Sequence, residues 1–285
     1  MEVEAHFHEA TSTLTFLVSD EQSKDAVVID PVLDFDAQTS ATATTSVDAL
    51  AEKIRAAGLR LLYILDTHVH ADHMTGSQAL KQHFPDARVA IGARITEVQQ
   101  TFGQIFALDD EFRRDGSQFD QLLDDGATIE AGSLKIKVIH TPGHTPACAS
   151  YRVGDALFTG DALFMPDFGS GRCDFPAGSA EALYDSITKL YSLPDETRVF
   201  VGHDYQPGGR SLAFETSIGE SKRSNRHLRA ETSKKEFVSF RTERDAGLKP
   251  PKLLFASLQV NIRAGVLPAA DAEGRRFLKI PLKQG

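Results

Sequence analysis

Tryptophan is absent from these 285 residues, and cysteine nearly so, with only Cys148 and Cys173 present. Two thiols cannot build the disulfide framework of a small secreted scaffold, and sparse cysteine fits a reducing compartment. Long apolar runs are also missing; none approaches the ~18 residues that a membrane-crossing helix needs. The start, Met1-Glu2-Val3-Glu4, has neither the basic residues nor the apolar core of a secretory leader. These absences predict a cytoplasmic protein without a membrane partner. Basic charge is short as well. Lys and Arg number 31 against 40 Asp and Glu, a net charge of −9, which argues against nucleic acid as a partner. What remains is ordinary globular composition, 41% hydrophobic and 25% charged, in a chain long enough for one large domain or two modest ones.

The apolar pattern is mostly that of strands, with helices interleaved. Thr13–Val18, Ala26–Asp30, Leu134–Ile139, Cys148–Val153, Ala156–Thr159 and Val199–Val201 read as strands. Leu61–Leu65 is a near-continuous apolar run, as expected of a strand buried on both faces. Val89–Ile91 is a further strand and Ser77–Phe84 a short helix. Val47, Leu50, Ala51 and Ile54 share a helical face, with Ser46 as the expected N-cap and Gly58 as the stop. Leu183, Ile187, Leu190 and Tyr191 form another such face, capped by Ser179. Ile95, Val98, Phe102 and Phe106 mark a helix within an insertion, read as helix plus loop over about 93–125. From Lys222 to Lys249 nine basic residues stand against four acidic ones, within a basic C-terminal segment of about 211–285. A solvated helical face explains such a run; a cationic wall beside an anion site is the functional alternative.

Chemistry concentrates just after the buried strand, in His68-Val69-His70-Ala71-Asp72-His73. His68 and His70 point to one side if the extended backbone continues. Three imidazoles and a carboxylate in six residues are costly to bury unless something binds them, and these donors suit zinc or iron. Three more strand ends carry candidate ligands: His144 in Thr141–Pro146, Asp161 in Thr159-Gly160-Asp161, and His203 in Gly202-His203-Asp204. Strand ends converging on one sheet edge are a natural place to assemble such a site. His140, at the end of its strand, is read as structural.

This order of motifs resembles the metallo-β-lactamase superfamily, and the resemblance implies the fold. That fold is α/β (α+β), an αββα sandwich of two mixed sheets packed face to face with helices outside, here a single domain over 1–285. In binuclear hydrolases of the superfamily, one metal matches His68, His70, His144 and Asp161, and a second matches Asp72, His73, His203 and Asp161. A finer resemblance leads to the persulfide dioxygenase (sulfur dioxygenase) branch. It is carried by Thr15–Val18, Ala26–Val32, Leu59–Leu65, Phe158–Ala162, Gly169-x-Gly171-Arg172-x-Asp174-Phe175 and Asn261-Ile262-Arg263-x-Gly265-Val266. Glyoxalase II, the nearest hydrolase branch, usually has a bulky apolar residue where this chain has Asp174.

By that resemblance one Fe(II) per chain is held by His68, His144 and Asp161, the facial-triad composition that leaves positions open for substrate and O2. His70, Asp72, His73 and His203 then orient ligands and metal-bound water. The implied activity is oxidation of glutathione persulfide by O2 to sulfite and glutathione. Arg172 and Tyr205 match family positions near the substrate, and Arg226 is drawn from the basic segment as a further contact. The alternative is a glyoxalase II-like binuclear zinc hydrolase of glutathione thioesters. Monomer and homodimer both stay open.

Overall fold

The computed structural model describes residues 1–282. In the first half, β1 (Glu2–His8), β2 (Thr13–Ser19) and β3 (Asp25–Ile29) form an antiparallel meander. A small ribbon, β4 (Val32–Asp36) and β5 (Ala41–Ala43), leads into α1 (Thr45–Ala56). Then follow β6 (Arg60–Leu65), β7 (Met74–Thr75), α2 (Ser77–His83), β8 (Arg88–Gly92), α3 (Ile95–Ile105) and β9 (Gln121–Leu123). Strands β6, β8 and β9 extend the first sheet in parallel, giving the order β1-β2-β3-β6-β8-β9. The pair β4 and β7 joins the ribbon to the segment after the histidine cluster.

The second half builds the second sheet in sequence order: β10 (Thr128–Ala131), β11 (Leu134–His140), β12 (Ala149–Val153), β13 (Ala156–Phe158), β14 (Arg198–Phe200) and β15 (Glu215–Ser217). Only β13 and β14 run parallel, and the crossover between them is α4 (Ala180–Tyr191). Helices α5 (Ile218–Ser224), α6 (Lys234–Ala246) and α7 (Leu254–Asn261) follow.

The core sits between the sheets. Leu14, Phe16, Val18, Val27, Ile29 and Leu65 from the first sheet pack with Ile136, Val138, Tyr151, Phe158 and Phe200 from the second. The Phe16 ring is the hinge of this layer, 5.2 Å from Phe158 and 5.5 Å from Phe200. The opposite face of the first sheet, with Leu17, Val28 and Ile64, is covered by α1, α2, α3 and α7 through Leu50, Ile54, Leu80, Val98, Phe102 and Leu258. As expected, β6 is buried on both faces: Tyr63 and Leu65 meet the intersheet core, Leu61 and Ile64 the helices. Ser179 caps α4, its side chain accepting from the Ala182 amide.

Several local expectations change. Thr44, not Ser46, precedes α1; Ser46 instead donates its amide and hydroxyl to the Asp34 carboxylate, tying the helix to β4. Helix α2 stops at His83, with Phe84 as its cap. The insertion is more than a helix and a loop, because β9 within it closes the edge of the first sheet.

Phe16→Ala removes a ring that touches both sheets, a large-to-small core change that should cost ~3–5 kcal/mol. Urea unfolding at fixed slope measures it; a loss under 1 kcal/mol, well below that range, would mean the sheets are held together elsewhere.

Candidate metal centre

Four strand ends deliver the candidate ligands to one edge of the sandwich. After β6 the chain leaves extended geometry, and residues 66–73 form turns rather than the continued strand expected for His68 and His70. The turn still gathers the rings: centroids of His68 and His70 lie 4.1 Å apart, as do those of His70 and His73. His144 follows β11 on a turn that α4 presses closely. A Cβ on Gly143, with φ of +144°, would lie 2.4 Å from Leu183 Cα. Asp161 follows β13, and His203 follows β14. The ligating atoms of the seven candidates collect in two adjoining groups, each within 4.8 Å internally: His68, His144 and Asp161; and His70, Asp72, His73 and His203; Asp30 and Asp66 make a third with His70.

The hydrogen bonds around these rings share one pattern. Each imidazole engages one nitrogen outside the cluster and turns the other inward. His144 Nδ1 donates to the Arg172 carbonyl at 2.7 Å, and His203 Nδ1 to the Ser12 carbonyl at 3.2 Å. His73 Nδ1 meets the Thr13 hydroxyl at 3.3 Å. His70 uses Nε2, toward Asp30 Oδ1 at 3.0 Å, and His68 uses Nδ1, toward the Thr67 hydroxyl at 3.0 Å. The inward atoms, Nε2 of His68, His73 and His203, Nδ1 of His70, Asp72 Oδ2 and Asp161 Oδ1, are buried without a hydrogen-bond partner. His144 Nε2 stands 3.6 Å from Asp161 Oδ2. An unpartnered buried polar atom costs ~1–3 kcal/mol, so this many in one place needs a ligand. Imidazole nitrogen and carboxylate oxygen are donors for zinc or iron, and the residues fit a metal centre.

Asp30 is the common anchor behind the rings. Its carboxylate accepts from the Thr67 amide and hydroxyl, each at 2.7 Å, and from His70 Nε2. Having given its proton to Asp30, the Thr67 hydroxyl accepts from His68 Nδ1. One carboxylate thus sets which nitrogen of both His68 and His70 keeps a lone pair for metal. Burial pushes Asp30 up to about 6, still ionised at neutral pH. Deeper in, burial and the Asp30 charge push Asp66 up to about 8, where Thr75 and Ser77 hydroxyls hold it. Burial, with neighbouring imidazoles, keeps His68 and His70 well below the usual range, hence neutral and ready as ligands. Burial would raise Asp72, but His203 and His73 outweigh it and hold the carboxylate well below its usual value.

A cavity of about 890 Å³ opens onto this edge, with Asp72, His144 and Asp161 in its wall. Arg172 and Tyr205 line it, together with Phe164, Phe168 and Phe175. The Arg172 guanidinium is fully engaged within the protein. It grips Asp174 through Nε and Nη2, donates from Nη1 to the Lys249 carbonyl at 2.8 Å, and lies over the Phe175 ring. Tyr205 stacks on His203 at 5.6 Å and on Phe168 at 4.7 Å. Arg226 is not among the lining residues; its side chain donates to the Asp167 carbonyl instead. Four of the nine basic residues from Lys222 to Lys249 are neutralised, Lys222, Arg223, Lys234 and Arg241 being paired to Asp195, Glu220, Asp185 and Asp245. From that stretch Arg241 and Arg244 reach the cavity, joined by Lys252 just beyond. His140 is structural as expected, its Nε2 donating to the Leu123 carbonyl.

Sequence reasoning passed over Asp30, Thr67 and Thr13 as site residues. Asp30 carried a signal, since it ends a strand beside Pro31 as the ligand-bearing strands end beside their ligands; the two threonines carried none.

Residues 9–203 match the metallo-beta-lactamase superfamily, and the chain belongs to it. A probable metallo-hydrolase of Burkholderia pseudomallei is 46% identical, across 99% of both chains. The human mitochondrial persulfide dioxygenase ETHE1 is 33% identical, across 91% of this chain and 87% of its own. The crystal structure of ETHE1 from Myxococcus xanthus superposes with a TM-score of 0.74 at 36% identity, covering 93% of this chain and 100% of that one. Persulfide dioxygenases therefore stand among its relatives, as the sequence motifs implied.

Asp30→Asn keeps the shape but turns one oxygen into a donor facing donors. Metal affinity should fall ~10- to 100-fold, read by competition with a chelator. Unchanged affinity would show that the tautomers of His68 and His70 are set by something else.

Proposed function

We propose that the protein is a mononuclear non-haem Fe(II) persulfide dioxygenase. It oxidises glutathione persulfide, with O2 and one water, to glutathione, sulfite and two protons. The observation that carries this reading is the group of two histidines and one aspartate, His68, His144 and Asp161, with His144 and Asp161 opening onto the large cavity. Its likeness to persulfide dioxygenases over most of its length supports the reading. Bound there, Fe(II) supplies open positions for a persulfide sulfur and O2 and the redox route between them.

The chain's own part is to hold and to shape. The Arg172 carbonyl keeps a proton on His144 Nδ1, so Nε2 stays a donor to metal. Phe164, Phe168 and Phe175 give the cavity an apolar wall. Arg172 and Arg241 are balanced by Asp174 and Asp245, whereas Arg244 and Lys252 have no ion-pair partner among the described residues. Those two cations give the carboxylates of a glutathione-type substrate their counter-charge in a protein of net charge −9. A cytoplasmic location is part of the proposal.

A two-zinc hydrolase of glutathione thioesters is the second reading. The unpartnered inward atoms of His70, Asp72, His73 and His203 favour it, as these are the donors a second ion would use.

Metal analysis of protein purified without added metal, paired with an oxygen electrode, decides between them. About one iron per chain and O2 uptake with glutathione persulfide is the expected result. His68→Ala, His144→Ala or Asp161→Ala should then remove iron and activity together, while His73→Ala keeps most of the iron. Two tightly held zinc ions with hydrolysis of S-lactoylglutathione, and equal metal loss from His73→Ala, would overturn the dioxygenase reading. Arg244→Gln should raise KM roughly tenfold and leave kcat in place, the mark of uniform binding; an unchanged KM removes Arg244 from the substrate site.

A further inference from the structure

The motif from Asn261 to Val266 touches neither the inward face of the metal centre nor the cavity. Its first residue nevertheless reaches the centre from behind. Asn261, at the end of α7, is 2% exposed. Its Nδ2 donates to the carbonyls of both His70 and His73, each at 2.8 Å, and its Oδ1 accepts from the Thr75 amide at 2.8 Å. We propose that Asn261 is a positioning residue that sets the spacing of His70 and His73 and through it the metal affinity of the centre.

The turn over residues 66–73 belongs to no helix or strand, so its buried carbonyls need partners from elsewhere. One amide nitrogen takes two of them, and they belong to two candidate ligands of the same group. Because both hydrogens sit on a single planar atom, the distance between the two carbonyls is fixed by the geometry of one side chain. Oδ1 then fixes where the chain leaves the turn, at the first bond of Thr75.

Asn261 is itself held. Leu258 and Ile262 are buried in the helical layer, and Gln99 of α3 donates to the Ile262 carbonyl at 2.9 Å. The segment beyond comes so near to β7 that a Cβ on Gly265, with φ of +91°, would lie 2.9 Å from the Thr75 carbonyl oxygen. Helix α7 thus works as a backing plate for the ligand turn. The inference does not depend on which metal is bound or which reaction it performs.

The test compares Asn261→Ala and Asn261→Asp with Asn225→Ala. Asn225 is an equally buried amide, 1% exposed, that donates to the Gly169 carbonyl and accepts from the amides of His227 and Leu228. Removing either side chain deletes hydrogen bonds of the same kind, so both should lower Tm. Zinc affinity by chelator competition, and the visible spectrum of the cobalt-loaded protein, separate positioning from stability. The Asn261 variants should bind ~10- to 100-fold more weakly and show an altered cobalt spectrum. Asn225→Ala should leave both readings at wild type. Wild-type affinity and spectrum in Asn261→Ala would overturn the proposal, and so would equal weakening by Asn225→Ala. If Asn261→Ala fails to fold, Asn261→Ser, which keeps one donor for one carbonyl, carries the same comparison.

Discussion

A buried carboxylate behind the histidine cluster carries the architecture of this site. Asp30 directly follows β3 and receives Thr67 and His70 directly and His68 through the Thr67 hydroxyl. Its negative charge is maintained in the interior by three donors, and that charge keeps two imidazoles in the tautomers a metal requires. The strand pairing β3 to β6 brings Asp30 within reach of the turn that follows Leu65. If the strand register slipped by one residue, Asp30 would face the opposite side of the sheet. The intersheet core, with Phe16 at its middle, is what resists such a slip. Packing and chemistry are therefore coupled at β3.

The same logic explains why so many lone pairs are left bare in one pocket of the interior. A hydrophobic sandwich alone gives no reason to keep polar atoms unpartnered, and each carries a desolvation cost. Here every outer nitrogen is hydrogen-bonded and the inner atoms of six ligand candidates are not, although His203 Nε2 lies 3.3 Å from both Asp72 and Asp161. The cluster thus has an anchored side and a side with donors to spare. The two ligand groups share that division, so the difference between one ion and two lies in which ligand atoms a metal captures rather than in any missing residue.

Legibility in the sequence followed the strength of local signals. Strands with continuous apolar character, such as Leu61–Leu65, and helices with a clean apolar face, such as α4, were visible because periodicity and burial agree. Helix α6 was legible only as a solvated face, because its buried positions are Phe237, Arg241 and Asp245, and a stripe completed by an ion pair looks polar. The strands β4, β5 and β7 carried no comparable local signal; β4 pairs with both β5 and β7, joining the ribbon to the segment after the histidine cluster. All seven ligand candidates were legible from their crowding at strand ends. Arg172 lines the cavity with its charge held by Asp174, two residues away. Arg226 donates elsewhere; charge density along the chain does not say which side chains reach a cavity.

The bond from His144 Nδ1 to the carbonyl of Arg172 has a consequence for descent with modification. The acceptor belongs to the main chain, whereas the side chain of the same residue, in the cavity wall, reaches Asp174 and the Lys249 carbonyl. Any amino acid at that position offers the same carbonyl. A lineage can therefore exchange the side chain at 172 without removing the acceptor that fixes the tautomer of His144. One residue thus separates what can vary, its side chain, from what the His144 ring requires, its carbonyl.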